Sequence, residues 1–305
     1  MNNVPSSVVM VRPSHFAFNA QTAANNAFQN KLENFSPSQI QDIALLEFDN
    51  MVSLLRKNGI EVILFDDKDT NTPDSIFPNN WFSTFTNEVL LYPMFSENRR
   101  NERKADIYKE LSTRLGKAIN SNLVSLEDEN EIVEGTGSLV CDYSSKTAFA
   151  AMSPRTTHLA MNEFEKESGY SSVRFDALGP DGNLIYHTNV MMTMADTYVV
   201  IGLETVDHDH RTFVKEELER LGKEVINLSN DQVYNHFAGN MLQLSNSANE
   251  KFLVMSKEAH DSLTKEQITT ITEKHNNSII ACPIHIIEKI GGGSARCMMA
   301  EIFYQ

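Results

Sequence analysis

Three residues far apart in the chain have the types that covalent hydrolysis needs: a thiol, an imidazole and a carboxylate. Cys297 closes the run Gly291-Gly292-Gly293-Ser294-Ala295-Arg296-Cys297. Consecutive glycines open backbone conformations closed to other residues and let a ligand come close. Arg296, directly before the thiol, is expected to favour the thiolate, which is the nucleophilic form. The following Met298-Met299-Ala300-Glu301-Ile302-Phe303 reads as a strand that anchors the loop. A lone cysteine beside a glycine turn is more commonly just a buried small hydrophobe. Glu134 stands before a glycine turn, in Glu134-Gly135-Thr136-Gly137, and His187 stands in His187-Thr188-Asn189. Singly, such a glutamate reads as solvated and such a histidine as a satisfied core residue. United, they are the nucleophile, base and orienting group of a covalent hydrolase.

An internal repeat is what could unite them. Five times a helix, a glycine or polar stop and a strand occur in order. The first helix has Ser36 as N-cap, Pro37 in its first turn and a stop at Gly59, before the strand Glu61–Phe65. Further helices are expected over about 102–115, 157–166 and 212–221, with a last one starting near Thr264, where Thr264 and Gln267 have capping-box spacing. Their strands are expected at 123–126, 172–175, 225–228 and 278–281. Each strand leads to a polar or glycine pivot: Pro78-Asn79-Asn80, Glu134–Gly137, His187–Asn189, Ala238-Gly239-Asn240 and Gly293–Cys297. From Asn80, the steps to Glu134, His187, Gly239 and Cys297 are 54, 53, 52 and 58 residues. A period of this size means stacked or radially arranged supersecondary units. Radial closure would bring all five pivots to one axis, with the strand Val8–Val11 completing the last module. The expectation is one α/β domain over 1–305.

Composition narrows the function. Hydrophobic residues make up 41% and charged residues 22% of 305, an ordinary globular balance. A net charge of −15 argues against nucleic acid, whose phosphates need clustered Lys and Arg. No apolar run reaches membrane-spanning length. The start lacks a signal peptide's basic and apolar regions. Cys141, Cys282 and Cys297 form neither an even framework nor a metal pair, which points to free thiols and a reducing cytoplasmic setting. Cys141 and Cys282 lie in apolar strands and are expected in the core.

The pivots resemble those of the guanidino-modifying enzymes of the pentein superfamily: arginine deiminases, dimethylarginine dimethylaminohydrolases, agmatine deiminases and amidinotransferases. The resemblance spans nearly the whole chain and rests on the glycine-rich loop ending in Cys297, on Val133-Glu134-Gly135-Thr136-Gly137 and on His187. The nearest group it suggests is a bacterial one proposed to act in citrulline use. It implies a five-bladed, pseudo-fivefold α/β propeller with the site on its axis. It implies Cys297 as nucleophile, His187 as general acid and base, and Glu134 as the carboxylate orienting the imidazole. Asp74 falls where dimethylarginine hydrolases hold the substrate α-amino group, and Arg155 where they bind its α-carboxylate. Arg99 or Arg100 is a second candidate for that carboxylate. Neither metal nor organic cofactor is implied. The expected partner is a small amino-acid substrate, and a homo-oligomer is compatible with the sequence.

Where the family grips a guanidinium with acids, this chain has Asn79, Asn80 and Asn189. Asparagine supplies a donor and an acceptor but no charge. A buried guanidinium without counter-charge is expensive, so a neutral ureido head, as in citrulline, is expected to suit the site better. Three rivals share the sequence: an amidinotransferase with the same residues and an amine acceptor, a non-catalytic propeller that only binds, and a metal hydrolase built on Asp207-His208-Asp209-His210. The last stretch reads better as a polar loop capping the next helix. Trp81 and His236, beside the first and fourth pivots, are further candidates to touch substrate.

Overall fold

A computed structural model of the chain describes residues 4–24 and 26–304. Fifteen strands alternate with helices along these residues. They are β1 (Ser7–Arg12), β2 (Glu61–Asp66), β3 (Phe82–Ser83), β4 (Glu88–Leu91) and β5 (Ala118–Asn120), then β6 (Val140–Asp142), β7 (Thr147–Ala151) and β8 (Ser171–Phe175). They continue with β9 (Met192–Met194), β10 (Tyr198–Ile201), β11 (Glu224–Asn227), β12 (Leu242–Ser245), β13 (Lys251–Ser256), β14 (Asn277–Cys282) and β15 (Ala300–Ile302). They make five three-stranded sheets: β3-β4-β5, β6-β7-β8, β9-β10-β11, β12-β13-β14 and β15-β1-β2. In each, the middle strand pairs antiparallel with the strand before it and parallel with the strand after it. The parallel step needs a crossover, and a helix supplies it in every module. The last module is completed across the ends of the chain, where β1 joins β15.

The helices form for local reasons legible in the sequence. Pro37–Lys57 has the Ser36–Gln39 capping box and buries Ile40, Ala44, Phe48, Met51, Val52 and Leu55 on one face. Ala105–Leu115 and His158–Ser168 end at Gly116 and Gly169, both left-handed. His208–Arg220 begins at Asp207, whose side chain accepts the Asp209 N–H, so this acidic and histidine-rich stretch is a helix cap. Thr264 and Gln267 close a second capping box. One expected strand is misplaced: Asn122–Glu129, which includes Leu123–Leu126, is a 3-10 helix, and the strand is β5 just before it. Asn120 Oδ1 accepts the Asn122 N–H at 3.0 Å and turns the chain out of the sheet. Cys141 and Cys282 are buried among apolar side chains, as expected. Trp81 packs on Phe82 with ring centroids 4.5 Å apart, a core role. No helix among the described residues is long and apolar enough to cross a membrane.

Candidate active site

The pivots pack on one another, and their glycines make this possible. A Cβ on Gly135 would lie 2.3 Å from the Asn79 carbonyl oxygen, and one on Gly137 would lie 2.3 Å from Asn80 Nδ2 and 2.7 Å from the His187 ring. First, second and third pivots therefore meet with no room for a side chain between them. Glu134 sits at the N-terminus of the short helix Gly135–Ser138, and His187 just before the 3-10 turn Thr188–Val190. His187 Nε2 and Glu134 Oε2 are 2.7 Å apart, both fully buried.

A small cavity opens beside this pair. His187 and Cys297 both line it, together with Asp74, Asn80, Arg99 and Arg155. Asn189 and Asn79 are buried and do not line it. Asn189 Nδ2 donates to Cys297 Sγ at 3.5 Å. Arg100 does not join the group. Its Nε donates to the Met94 carbonyl at 3.1 Å, and its guanidinium faces Glu127. Arg296 also turns away from the thiol, contrary to expectation: Nη2 bonds Glu301 at 2.7 Å and Nη1 donates to the Met299 carbonyl. A buried guanidinium must find acceptors, and these lie on the far side of the catalytic loop. His236 faces Asp231 outside the cavity.

The family model for eukaryotic N,N dimethylarginine dimethylhydrolase matches residues 12–304. The chain belongs to this family. Solved structures of similar fold include the apo form of ArgZ, an arginine dihydrolase from the ornithine-ammonia cycle in cyanobacteria (15% identity, TM-score 0.75, covering 98% of this chain and 41% of that one). A second is a cysteine-to-alanine variant of AgrE in complex with L-arginine (15% identity, TM-score 0.76, 98% and 40% covered). A third is the dimethylarginine dimethylaminohydrolase of Pseudomonas aeruginosa, a cysteine-to-serine variant complexed with citrulline (14% identity, TM-score 0.67, 98% and 100% covered). The chain thus spans about two fifths of the full ArgZ and AgrE chains. A comparison with curated proteins gave no match.

The charges of this dimethylhydrolase-family site are set by burial and by two arginines. Burial alone would raise the Glu134 carboxyl. Arg155, at 3.4 Å, and the hydrogen bond from His187 outweigh it and hold the carboxyl well below the usual range. Glu134 is therefore ionised and only accepts, which assigns the proton to His187 Nε2 and leaves Nδ1 as the basic nitrogen. Burial also lowers the His187 ring, to about 4, so it is neutral at pH 7. The Arg155 guanidinium stacks 5.1 Å from the Tyr186 ring centroid and donates to the Thr22 carbonyl at 3.2 Å. Arg99 is paired with Glu102 at 2.8 Å and lies 3.9 Å from Asp74. Burial raises the Asp74 carboxyl against the pull of Arg99.

Several buried polar atoms here have no hydrogen-bond partner among the described residues: Asp74 Oδ1, Asn79 Oδ1 and Nδ2, Asn80 Nδ2 and Asn189 Oδ1. Leaving such atoms unmet costs ~1–3 kcal/mol each, so hydrogen-bonding capacity is left over beside this one cavity.

Sequence reasoning missed the roof. Thr22 and Asn26 line the cavity, and the segment is tied down by Asn26 Nδ2 to the Gly292 carbonyl and Gln29 Nε2 to the Gly291 carbonyl. Nothing in the composition of residues 19–29 signals this. Asn240, whose Nδ2 lies 3.3 Å from Cys297 Sγ, was visible only as part of a pivot.

Proposed function

We propose that the chain is a cysteine-dependent hydrolase of the terminal C–N bond of an arginine- or citrulline-like amino acid, working through a covalent S-linked intermediate. The observation that carries this reading is the ionised Glu134 holding a neutral His187 in the wall of the cavity that Cys297 also lines. The Cys297 sulfur attacks the central carbon of the head group, and its proton passes to His187 Nδ1. His187 gives that proton to the departing nitrogen, which leaves as ammonia. His187 then takes a proton from water, which attacks the S-linked carbon and frees the thiol. From citrulline this hydrolysis releases the carbamate on the ornithine side-chain nitrogen, which loses carbon dioxide as its C–N bond breaks, so the products are ornithine, ammonia and carbon dioxide with one water consumed. Asp74, with its unmet Oδ1, takes the substrate α-ammonium, and Arg155 lies near its α-carboxylate.

The head group is neutral in this reading. Arg99 Nη2 donates to Asn80 Oδ1 at 3.2 Å. A guanidinium can only donate, so Asn80 must turn its amide nitrogen to the cavity. That donor suits a ureido oxygen and has nothing to accept from a guanidinium. The acids nearby, Asp74 and Glu134, already face Arg99 and Arg155. Radial closure of the five sheets into a single propeller domain over 1–305 accompanies this proposal, supported by contacts of β15 with β3, β6 with β9 and β9 with β12. Turnover of L-citrulline and L-arginine on the purified protein tests the choice. Citrulline is expected to be the better substrate by kcat/KM, and a clear preference for arginine would overturn the neutral head.

A further inference from the structure

We infer that Asn240 is a catalytic residue of this site: its amide, with that of Asn189, cradles the Cys297 sulfur and stabilises it as the thiolate. The inference rests on the reading of Cys297 as nucleophile. Three contacts surround the sulfur. Asn240 Nδ2 lies 3.3 Å from Sγ, Asn189 Nδ2 lies 3.5 Å away, and Asn240 Oδ1 lies 3.7 Å away as an acceptor for the S–H form. The two shorter ones are donors, and hydrogen bonds donated to a charged form favour it.

The orientation of Asn240 is not free. Its Oδ1 accepts the Arg296 backbone N–H at 2.9 Å, and a backbone N–H can only donate. One hydrogen of Nδ2 goes to the Asn189 carbonyl at 2.8 Å, which leaves the other for sulfur. The amide is thus fixed at three points, with its second donor aimed at the reacting atom. Gly239 explains how the backbone comes so near: a Cβ there would lie 2.4 Å from the Val190 carbonyl oxygen and 2.7 Å from Met191 Cα. The fourth pivot is pressed flat against the third. With the Arg296 guanidinium committed to Glu301 on the other side, neutral amides take the place of the expected cation. The thiolate they favour is the species that attacks carbon.

The test is the pH dependence of Cys297 alkylation by iodoacetamide, mapped by peptide mass spectrometry, in the wild type and in Asn240→Asp and Asn240→Ala. The Asp variant keeps an acceptor for the Arg296 N–H but replaces the donor to sulfur with a carboxylate oxygen. The Ala variant removes the donor without adding charge, and it carries the test should the Asp variant fail to fold. For each folded variant the half-maximal pH of alkylation is expected to rise by about one unit or more, with a roughly tenfold slower rate at pH 7 that converges on the wild type at high pH. A loss equal at every pH, with an unmoved midpoint, would show a scaffold role only and overturn the proposal. Alkylation needs no turnover, so this outcome is independent of whether Cys297→Ala abolishes hydrolysis, which tests the underlying reading.

Discussion

Among the described residues, a cavity at Cys141 and a smaller one at Cys297 each hold a buried cysteine among ionisable groups, and only the smaller has the marks of a site. The larger is lined by Cys141, Asp142, Tyr143, Arg296 and Glu301. Its polar groups are closed on one another: Lys223 with Asp142 at 2.9 Å, Arg296 with Glu301 at 2.7 Å, and the Tyr143 hydroxyl on Glu301 at 2.6 Å. Burial, with Glu301 adding to it, pushes the Cys141 thiol far above its ordinary range, into an inert form. Around Cys297 the situation reverses. Amide donors face the sulfur, and five side-chain atoms of Asp74, Asn79, Asn80 and Asn189 lack partners among the described residues. The same residue types therefore serve stability in one place and chemistry in the other. What separates them is unmet hydrogen-bonding capacity, not cavity size.

The contrast can be broken or sharpened by experiment. The largest effect is expected from Glu134→Gln, which keeps the size of the side chain but removes the charge that fixes the His187 tautomer. Comparable changes at catalytic His–carboxylate pairs cost about 10⁴-fold in kcat, and a loss of roughly 10²–10⁴-fold is expected here by steady-state kinetics. A loss below tenfold would detach Glu134 from the reaction. A second test follows from the lowered ring. An imidazole with an ordinary value near 6.5 would be mostly protonated at pH 5.5, but His187 remains neutral to about 4. The His187 ring signals in an NMR titration should therefore stay at their neutral positions between pH 7 and pH 5.5. A transition centred near 6.5 would contradict the burial argument. The smallest effect is expected from Cys141→Ala: turnover within about twofold of the wild type, and a stability loss of about 1–2 kcal/mol in denaturant melts. A large loss of turnover there would erase the distinction between the two cavities.

How much of this could be read from the chain differs by element. The helices starting at Ser36 and Thr264, and the stops at Gly116 and Gly169, were legible because caps and glycine stops act locally. The near-regular spacing of the pivots, 54, 53, 52 and 58 residues, puts Glu134, His187 and Cys297 at equivalent places in different modules. The strand expected at Leu123–Leu126 was lost to an asparagine turn at Asn120–Asn122, just before it, which a run of apolar residues does not reveal. Arg100 and Arg296 were misread for a shared reason: a side chain's direction depends on the distant acids it pairs with, Glu127 and Glu301, and adjacency in sequence carries no such information. The roof residues Thr22, Asn26 and Gln29 were invisible because their contacts are polar and long-range, with no periodicity of their own.

In the proposed reaction, carbon becomes bonded to the sulfur of Cys297 during turnover. Intact-protein and peptide mass spectrometry after acid quench, on wild type and Cys297→Ala supplied with citrulline or arginine, addresses it directly. A substrate-derived adduct is expected on the Cys297 peptide of the wild type. The Cys297→Ala protein is expected to fold and to show neither adduct nor released ammonia. Ammonia release by Cys297→Ala at a rate near that of the wild type would rule out a covalent route through this sulfur.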